Sequence, residues 1–288
     1  MEMLDVAGVR IAVREWGVPD GIPVVFWHAL GSVTSGEYAA ELAPALVGRG
    51  ARVVAPDGPG HGESPLVPRE RYATTAVVAL AEALLDELGL ERVAWIGHSW
   101  GAMVGAHLAA ARPERVSALV LLDAGYGDPA DQPGVEPLAY ERRLEQARTS
   151  QSAWRWPDWA AFDEDARDGL RRWTPELAAV LRAGVREQDD AVVALVTPEA
   201  RAAIQDDLYN TSITPTWPAL EMLPVLVLVA TEPPGLEPYR AAAVAGFRAA
   251  VPEADVRRME GCGYYLVADL GPELAELIGG WLSRHEVL

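Results

Sequence analysis

Apolar and polar positions divide the chain into short blocks with two different periods. Residues 2–7 and 9–16 alternate about Gly8, the pattern of a hairpin. Residues 22–28, reading IPVVFWH, are apolar almost without interruption, as in a strand covered on both faces of a parallel sheet. Similar short runs at 51–56, 92–97, 116–123 and 224–230 predict further buried strands, and 253–260 predicts a last one. Between them, 37–48, 72–89, 100–112, 237–250 and 272–284 read as helices. In 72–89, Val77, Leu80, Leu84, Leu85 and Leu88 fall on one helical face, and Gly89 supplies the stop. Strands alternating with helices predict a doubly wound, mostly parallel α/β sheet. Residues 128–219 break this rhythm. They mix Pro, Trp, Arg and acidic residues, with helical segments and no strong strand. The expectation is a helical cap at 128–219 inserted into a core of 1–127 and 220–288, without internal repeats or low-complexity tracts.

Composition narrows the function. The chain has 288 residues, half of them hydrophobic, with a net charge of −18; its cations are all Arg. Such a surface repels phosphate backbones and anionic lipid, so nucleic acid and membrane are not expected as partners, and a small-molecule substrate is. The sequence leaves the oligomeric state open. A lone cysteine, Cys262, excludes an intramolecular disulfide framework and any multi-Cys metal site. The histidines lack a compact ligand spacing, so neither a metal nor another cofactor is expected. MEMLDVAGVR does not read as a signal peptide and no apolar run has the length of a membrane span, which makes a cytoplasmic location the expectation.

The candidate chemistry begins at Gly97-His98-Ser99-Trp100-Gly101, between a predicted strand and a predicted helix. Glycines at both ends allow a sharp turn that raises Ser99 at the strand's end, and the helix N-terminus offers unpaired N–H groups to a developing oxyanion. Three more stretches accompany it: Trp27-His28-Ala29-Leu30-Gly31, Asp57-Gly58-Pro59-Gly60-His61-Gly62-Glu63-Ser64 and Gly261-Cys262-Gly263-Tyr264. On these residues the chain resembles the α/β-hydrolases over nearly its whole length outside the insertion. The resemblance implies a serine nucleophile at Ser99 and an oxyanion hole built from the backbone N–H groups of Leu30 and Trp100, with Ala29 where the family usually has glycine. The acid of the triad falls on Asp123, after the strand at 116–123, or on Glu232, after the strand at 224–230; Asp123 is favoured. The family's usual histidine position carries Tyr264. An epoxide hydrolase or dehalogenase of this kind would need an acidic nucleophile at position 99, and Ser99 argues against both.

Other candidates carry weaker signals. His28 is placed by its motif beside the substrate pocket, although His28, His61 and His98 read as structural first. Trp154, Trp156 and Trp159 are candidates for an apolar pocket wall; Trp173, Trp217, Tyr126, Tyr140 and Tyr209 are of the same kind. Arg171-Arg172 and Asp189-Asp190 read as solvated helix faces, and Cys262 as structural.

Tyr264 divides the functional readings. Serine needs a base to take its proton, and histidine suits because it titrates near neutrality. A free phenol, with a pKa of about 10, is only about 0.1% phenolate at pH 7, a deficit of roughly 4 kcal/mol on a general-base path. The chain therefore reads as a hydrolase of a small or medium apolar ester, lactone or related acyl compound, impaired by loss of its histidine or using an unrecognised base. The alternatives are a lyase or cyclase using Tyr264 as an acid, and a small-molecule binding protein on the same fold.

Overall fold

The computed structural model describes residues 1–31, 34–151 and 154–288. In chain order the strands are β1 (Glu2–Val6), β2 (Val9–Trp16), β3 (Ile22–Trp27), β4 (Ala51–Pro56), β5 (Val93–His98), β6 (Val116–Leu122), β7 (Arg155–Trp156), β8 (Val185–Gln188), β9 (Ala191–Ala194), β10 (Val225–Ala230) and β11 (Asp255–Met259). The helices are α1 (Leu42–Val47), α2 (Thr74–Glu87), α3 (Trp100–Ala111), α4 (Tyr140–Gln151), α5 (Trp159–Asp168), α6 (Pro175–Arg182), α7 (Pro198–Leu208), α8 (Trp217–Leu220), α9 (Glu237–Ala250), α10 (Leu266–Leu270) and α11 (Pro272–Arg284). Among the described residues one sheet has eight strands in the order β1-β2-β4-β3-β5-β6-β10-β11. The β1–β2 hairpin is antiparallel and meets β4 antiparallel; from β4 to β11 the pairing is parallel. This is the doubly wound α/β sheet that the alternating blocks predict.

The apolar runs are continuous because both faces of the sheet are covered. Within β3, Val25 and Trp27 join the core under α2, α3, α8 and α9, while Val24 and Phe26 join the core under α1, α10 and α11. Successive side chains thus serve opposite cores, and every one of the four is buried. The predicted helix at 37–48 is in fact a 3-10 turn at Ser35–Tyr38 followed by the short α1, whose Leu42 and Leu46 are buried.

Among the described residues, the segment between β6 and β10, expected to be mostly helical, holds five helices and short strands as well. Besides α4–α8 it contains a small antiparallel sheet ordered β7-β9-β8. Asp189 and Asp190 form the turn of the β8–β9 hairpin at φ of 50° and 56°, so they are not a helix face. Two aspartates accept this left-handed turn because short polar side chains tolerate it better than most. Arg171 and Arg172 do not lie on a helix either; Arg171 is exposed and Arg172 half-buried. Arg172 pairs with Glu41 at 2.7 Å and donates to the Ala268 carbonyl, and Arg171 Nη1 lies 2.8 Å from Cys262 Sγ. Both arginines tie the segment to the main sheet domain. α7 joins the main core through Ala200, Ala203, Ile204 and Leu208, whereas Phe162, Val185 and Val192 form a separate small cluster with Trp156 and Trp159. Among the described residues no helix is long and apolar enough to cross a membrane.

Candidate active site

β5 and β6 run parallel with His98 opposite Leu122, which sets the next residues of the two strands, Ser99 and Asp123, side by side at the carboxyl end of the sheet. Both leave their strands at positive φ, 50° for Ser99 and 49° for Asp123. Such backbone is costly for residues with a Cβ, typically about 1–3 kcal/mol each, and persists only where the surroundings impose it. At Ser99 they do. Its N–H donates to the Leu122 carbonyl at 2.9 Å, and its carbonyl accepts from Ala102 and Met103 in the first turn of α3. The flanking glycines are required by close approach: a Cβ on Gly101 would lie 2.0 Å from the Trp27 carbonyl oxygen, and one on Gly97 2.2 Å from the Gly101 carbonyl.

The turn after β3 is braced from below. Asp57 is fully buried, and its carboxylate accepts from the Ser35 N–H at 2.7 Å, the Ser35 hydroxyl at 2.6 Å and the Glu63 N–H at 3.1 Å. Ser64 donates its hydroxyl to the Asp57 carbonyl and accepts from the Ala12 N–H. His28 Nε2 accepts from the Gly58 N–H at 2.8 Å, which leaves Nδ1 protonated and donating to the Ala29 carbonyl. His28 is therefore a neutral internal tie. It is fully buried and does not border the cavity, which corrects its placement in the substrate pocket. His61 stacks on Trp100 with 5.3 Å between ring centroids, and burial holds its pKa well below the ordinary histidine value. Above this brace, the N–H groups of Leu30 and Trp100 donate to no acceptor among the described residues.

A cavity of about 360 Å³ opens over Ser99. Leu30, Trp100, Met103, Asp123 and Tyr264 border it on the sheet side; Trp154, Arg201 and Gln205 border it from the inserted segment. Of the three tryptophans expected at the wall, Trp154 is there. Trp156 and Trp159 are not. They meet Phe162 edge-on at 5.0 and 6.1 Å in the small separate cluster, because β7 and α5 turn them away from the sheet. Trp217 fills the seam with the sheet domain, donating to the Gly125 carbonyl at 3.0 Å.

The two acid candidates sit differently. The Asp123 side chain is 6% exposed. Its Oδ1 accepts from the Ala230 N–H at 2.9 Å and the Tyr126 hydroxyl at 3.1 Å, and Arg240 lies 3.9 Å from Oδ2. Burial raises its pKa to about 6, against the pull of the Ala230 N–H, Arg240 and Tyr126. Glu232 borders the cavity with an exposed side chain. Its backbone is held, N–H to the Cys262 carbonyl and carbonyl to Arg240.

Tyr264 reaches the site from the loop after β11. Burial drives its phenol far above the ordinary tyrosine pKa; a hydrogen-bonding interaction with the Ser99 side chain opposes this, and Tyr265 and Asp123 add to it. His98 lies behind it, donating from Nε2 to the Tyr264 carbonyl at 2.8 Å, and burial lowers its pKa to about 4. It is thus a neutral support for the Tyr264 loop, turned away from the cavity. Cys262 is buried, with its thiol pKa raised by burial and lowered by Arg171. Among the described residues no group of three or more His, Cys, Asp or Glu side chains comes together as a metal site.

Three site residues had no sequence signal. Arg240 is 3% exposed and orders both Asp123 and the 232–233 backbone, yet in sequence it is one arginine in a helix. Glu37 sits close to the turn after β3; burial raises its carboxyl to about 8, opposed by Tyr38 and the Ala29 backbone. Arg201 reaches the cavity from α7.

A sequence profile described as alpha/beta hydrolase fold matches residues 22–224. Among curated relatives, epoxide hydrolase A of Mycobacterium tuberculosis is 34% identical over 121 residues, 42% of this chain and 37% of that protein. A 2-hydroxy-6-oxononadienedioate/2-hydroxy-6-oxononatrienedioate hydrolase of Pseudomonas putida is 42% identical over 107 residues, 36% of this chain and 37% of that protein. The first curated relatives are matched over at most 41% of their own length. Among solved structures, E-2-(acetamidomethylene)succinate hydrolase superposes with a TM-score of 0.75 at 19% identity, covering 98% of both chains.

Proposed function

The chain belongs to the α/β-hydrolase fold family, and from that premise we propose that it is a serine-type hydrolase of a small or medium acyl compound, an ester or lactone with a largely apolar acyl part. The observation that carries this reading is Ser99, held at φ 50° beside the two uncommitted N–H groups of Leu30 and Trp100, at the floor of a cavity that also reaches Asp123. Ser99 Oγ attacks the carbonyl as its proton passes to a water molecule, the C=O pair moves onto the carbonyl oxygen, and that charge is met by the two N–H groups, a kind of stabilisation that contributes about 2.7–4 kcal/mol per donor in serine hydrolases; the adduct expels the alcohol, and a second water releases the acid from Ser99. Leu30 and Met103 supply apolar wall. The inserted segment acts as a cap that restricts bulk solvent at the cavity.

Tyr264 limits the proton transfer. Burial pushes its pKa upward, so phenolate is scarcer than in free tyrosine. Tyr264 therefore serves as a hydrogen-bond donor and not as a base, and turnover is slow; oxyanion stabilisation and binding alone leave about 10³–10⁴ over the uncatalysed rate in a triad lacking one member. A second reading uses the neutral Tyr264 as an acid in non-hydrolytic chemistry; its place beside Ser99 at the cavity supports it, while the upward shift makes the phenol a weaker proton donor. A fluorophosphonate probe read by intact mass, with an ester and lactone panel, tests both on the parent and on Tyr264→His. The expected result is slow labelling at Ser99 in the parent and a rise in kcat/KM of about 10²–10⁴ for Tyr264→His, with Asp123 orienting the new imidazole. No labelling of either protein would sink the nucleophile. Loss of an activity present in the parent would favour the acid reading.

A further inference from the structure

Arg201 is the cation of the inserted segment that borders the cavity over Ser99. Its surroundings differ from those of arginines on α4 and in the 3-10 turn at Arg69–Tyr72. Arg69 and Arg143 face Asp206, and Arg148 faces Glu199. Arg201 has no carboxylate within ion-pair distance among the described residues. Its guanidinium lies over the Trp154 ring, 4.5 Å from the centroid, and Nη1 donates to the Ser150 hydroxyl at 3.0 Å. The indole and the hydroxyl fix its plane and use few of its five N–H donors. Gln205, one turn further along α7, borders the cavity beside it.

A partly desolvated cation without a counter-charge is unfavourable, and its pKa is lowered by burial. The unfavourable state is relieved by an anion brought in from solvent. A planar anion with two oxygens matches the guanidinium fork. The other arginine at the cavity cannot serve in this way: Arg240 is engaged by Asp123 and by the carbonyls of Glu232 and Pro233. We propose that Arg201 is the anchor for a carboxylate on the substrate, so that the cavity takes an ester or lactone bearing a carboxylate at the end remote from the carbonyl that Ser99 attacks. This rests on the hydrolase reading of Ser99 and adds a charged end to an otherwise apolar acyl chain. Arg201 and Gln205 also border a broader groove beneath α4, which places the anchor at the passage between that groove and the cavity. An anionic end is then held at the passage while the carbonyl reaches Ser99.

The test separates charge recognition from turnover. Mono-p-nitrophenyl adipate and p-nitrophenyl hexanoate share a six-carbon acyl chain and differ in the terminal carboxylate. In parallel, isothermal titration of monomethyl adipate and methyl hexanoate into the same protein reads binding without requiring hydrolysis. The parent is expected to bind monomethyl adipate about tenfold or more tightly than methyl hexanoate, a preference of the size one charge-assisted pair supplies. Arg201→Leu is expected to abolish the preference and leave the neutral ester within about threefold, and Arg201→Lys to restore part of it, since a point charge replaces a fork. Unchanged thermal unfolding of the variants checks their folding. Equal affinity of the parent for both esters, or a preference that survives in Arg201→Leu, overturns the carboxylate anchor. Preferential binding of monomethyl adipate with no turnover of either nitrophenyl ester retains the anchor and overturns hydrolysis.

Discussion

At Asp123 the environment, more than any single partner, sets ionisation. The carboxyl titrates near 6 in the fold against an ordinary 3.8 because burial disfavours its charge. The folded state therefore holds the proton more tightly than the unfolded chain, and the contribution of this group to stability falls as pH rises from about 4 to about 6, by at most about 3 kcal/mol. Above that window the penalty is constant. Chemical denaturation of the parent and Asp123→Asn across pH 4–7.5 checks this: the variant should gain relative to the parent through the window and run parallel to it above pH 6.5. A difference that does not change with pH would refute the assignment. In Tyr264→His, where an ionised Asp123 would orient the imidazole, the same titration predicts activity declining below about pH 6. Ser99, Leu30, Trp100 and Tyr264 were legible in the sequence because short contiguous motifs carry them. Arg240 and Arg201 were not, because what distinguishes each is a neighbour distant in the chain: Asp123 for one, Trp154 and Ser150 for the other.

Elements follow the same division. β4, α9 and α11 end where the apolar pattern predicts, at Ala51–Pro56, Glu237–Ala250 and Pro272–Arg284, because burial over several turns or a whole strand writes a long signal. The small sheet of β7, β8 and β9 leaves no signal in the sequence because two to four residues are too few to establish a period of two. The junction of β5 and α3 is the least forgiving element. Gly101→Ala would set its Cβ 2.0 Å from a backbone oxygen of β3, where no side chain can yield. The expected cost is about 3 kcal/mol or more, beyond the ordinary range for overpacking, with loss of labelling at Ser99. Thermal unfolding measures the first effect and the fluorophosphonate probe the second; a variant with parental stability and labelling would show that the strand and helix can separate freely.

Across the whole molecule, stability is unevenly distributed. Two large cores sandwich the eight-stranded sheet, while β7–β9 and α5 rest on a cluster built from Phe162, Val185 and Val192 with the half-buried Trp156 and Trp159. Regions with little buried apolar surface open at lower free energy than the rest. Hydrogen exchange should therefore be faster in β8 and β9 than in β3, β5 and β6, and this difference should persist in Ser99→Ala. Uniform protection would show that the insertion and the sheet unfold together. Arg171 and Arg172, which reach Cys262, Ala268 and Glu41, are the ties that hold the insertion against the loop of Tyr264.

The positive φ at Ser99 sets stability against the use of its hydroxyl. A glycine there would meet no steric objection to the turn and would relieve the strain. Serine instead remains at the summit of the elbow, opposite a tyrosine that withholds the usual base. Under the proposed reading the hydroxyl is what offsets that strain, by bonding covalently or by gripping a guest, so Ser99→Gly should raise thermal stability and abolish labelling.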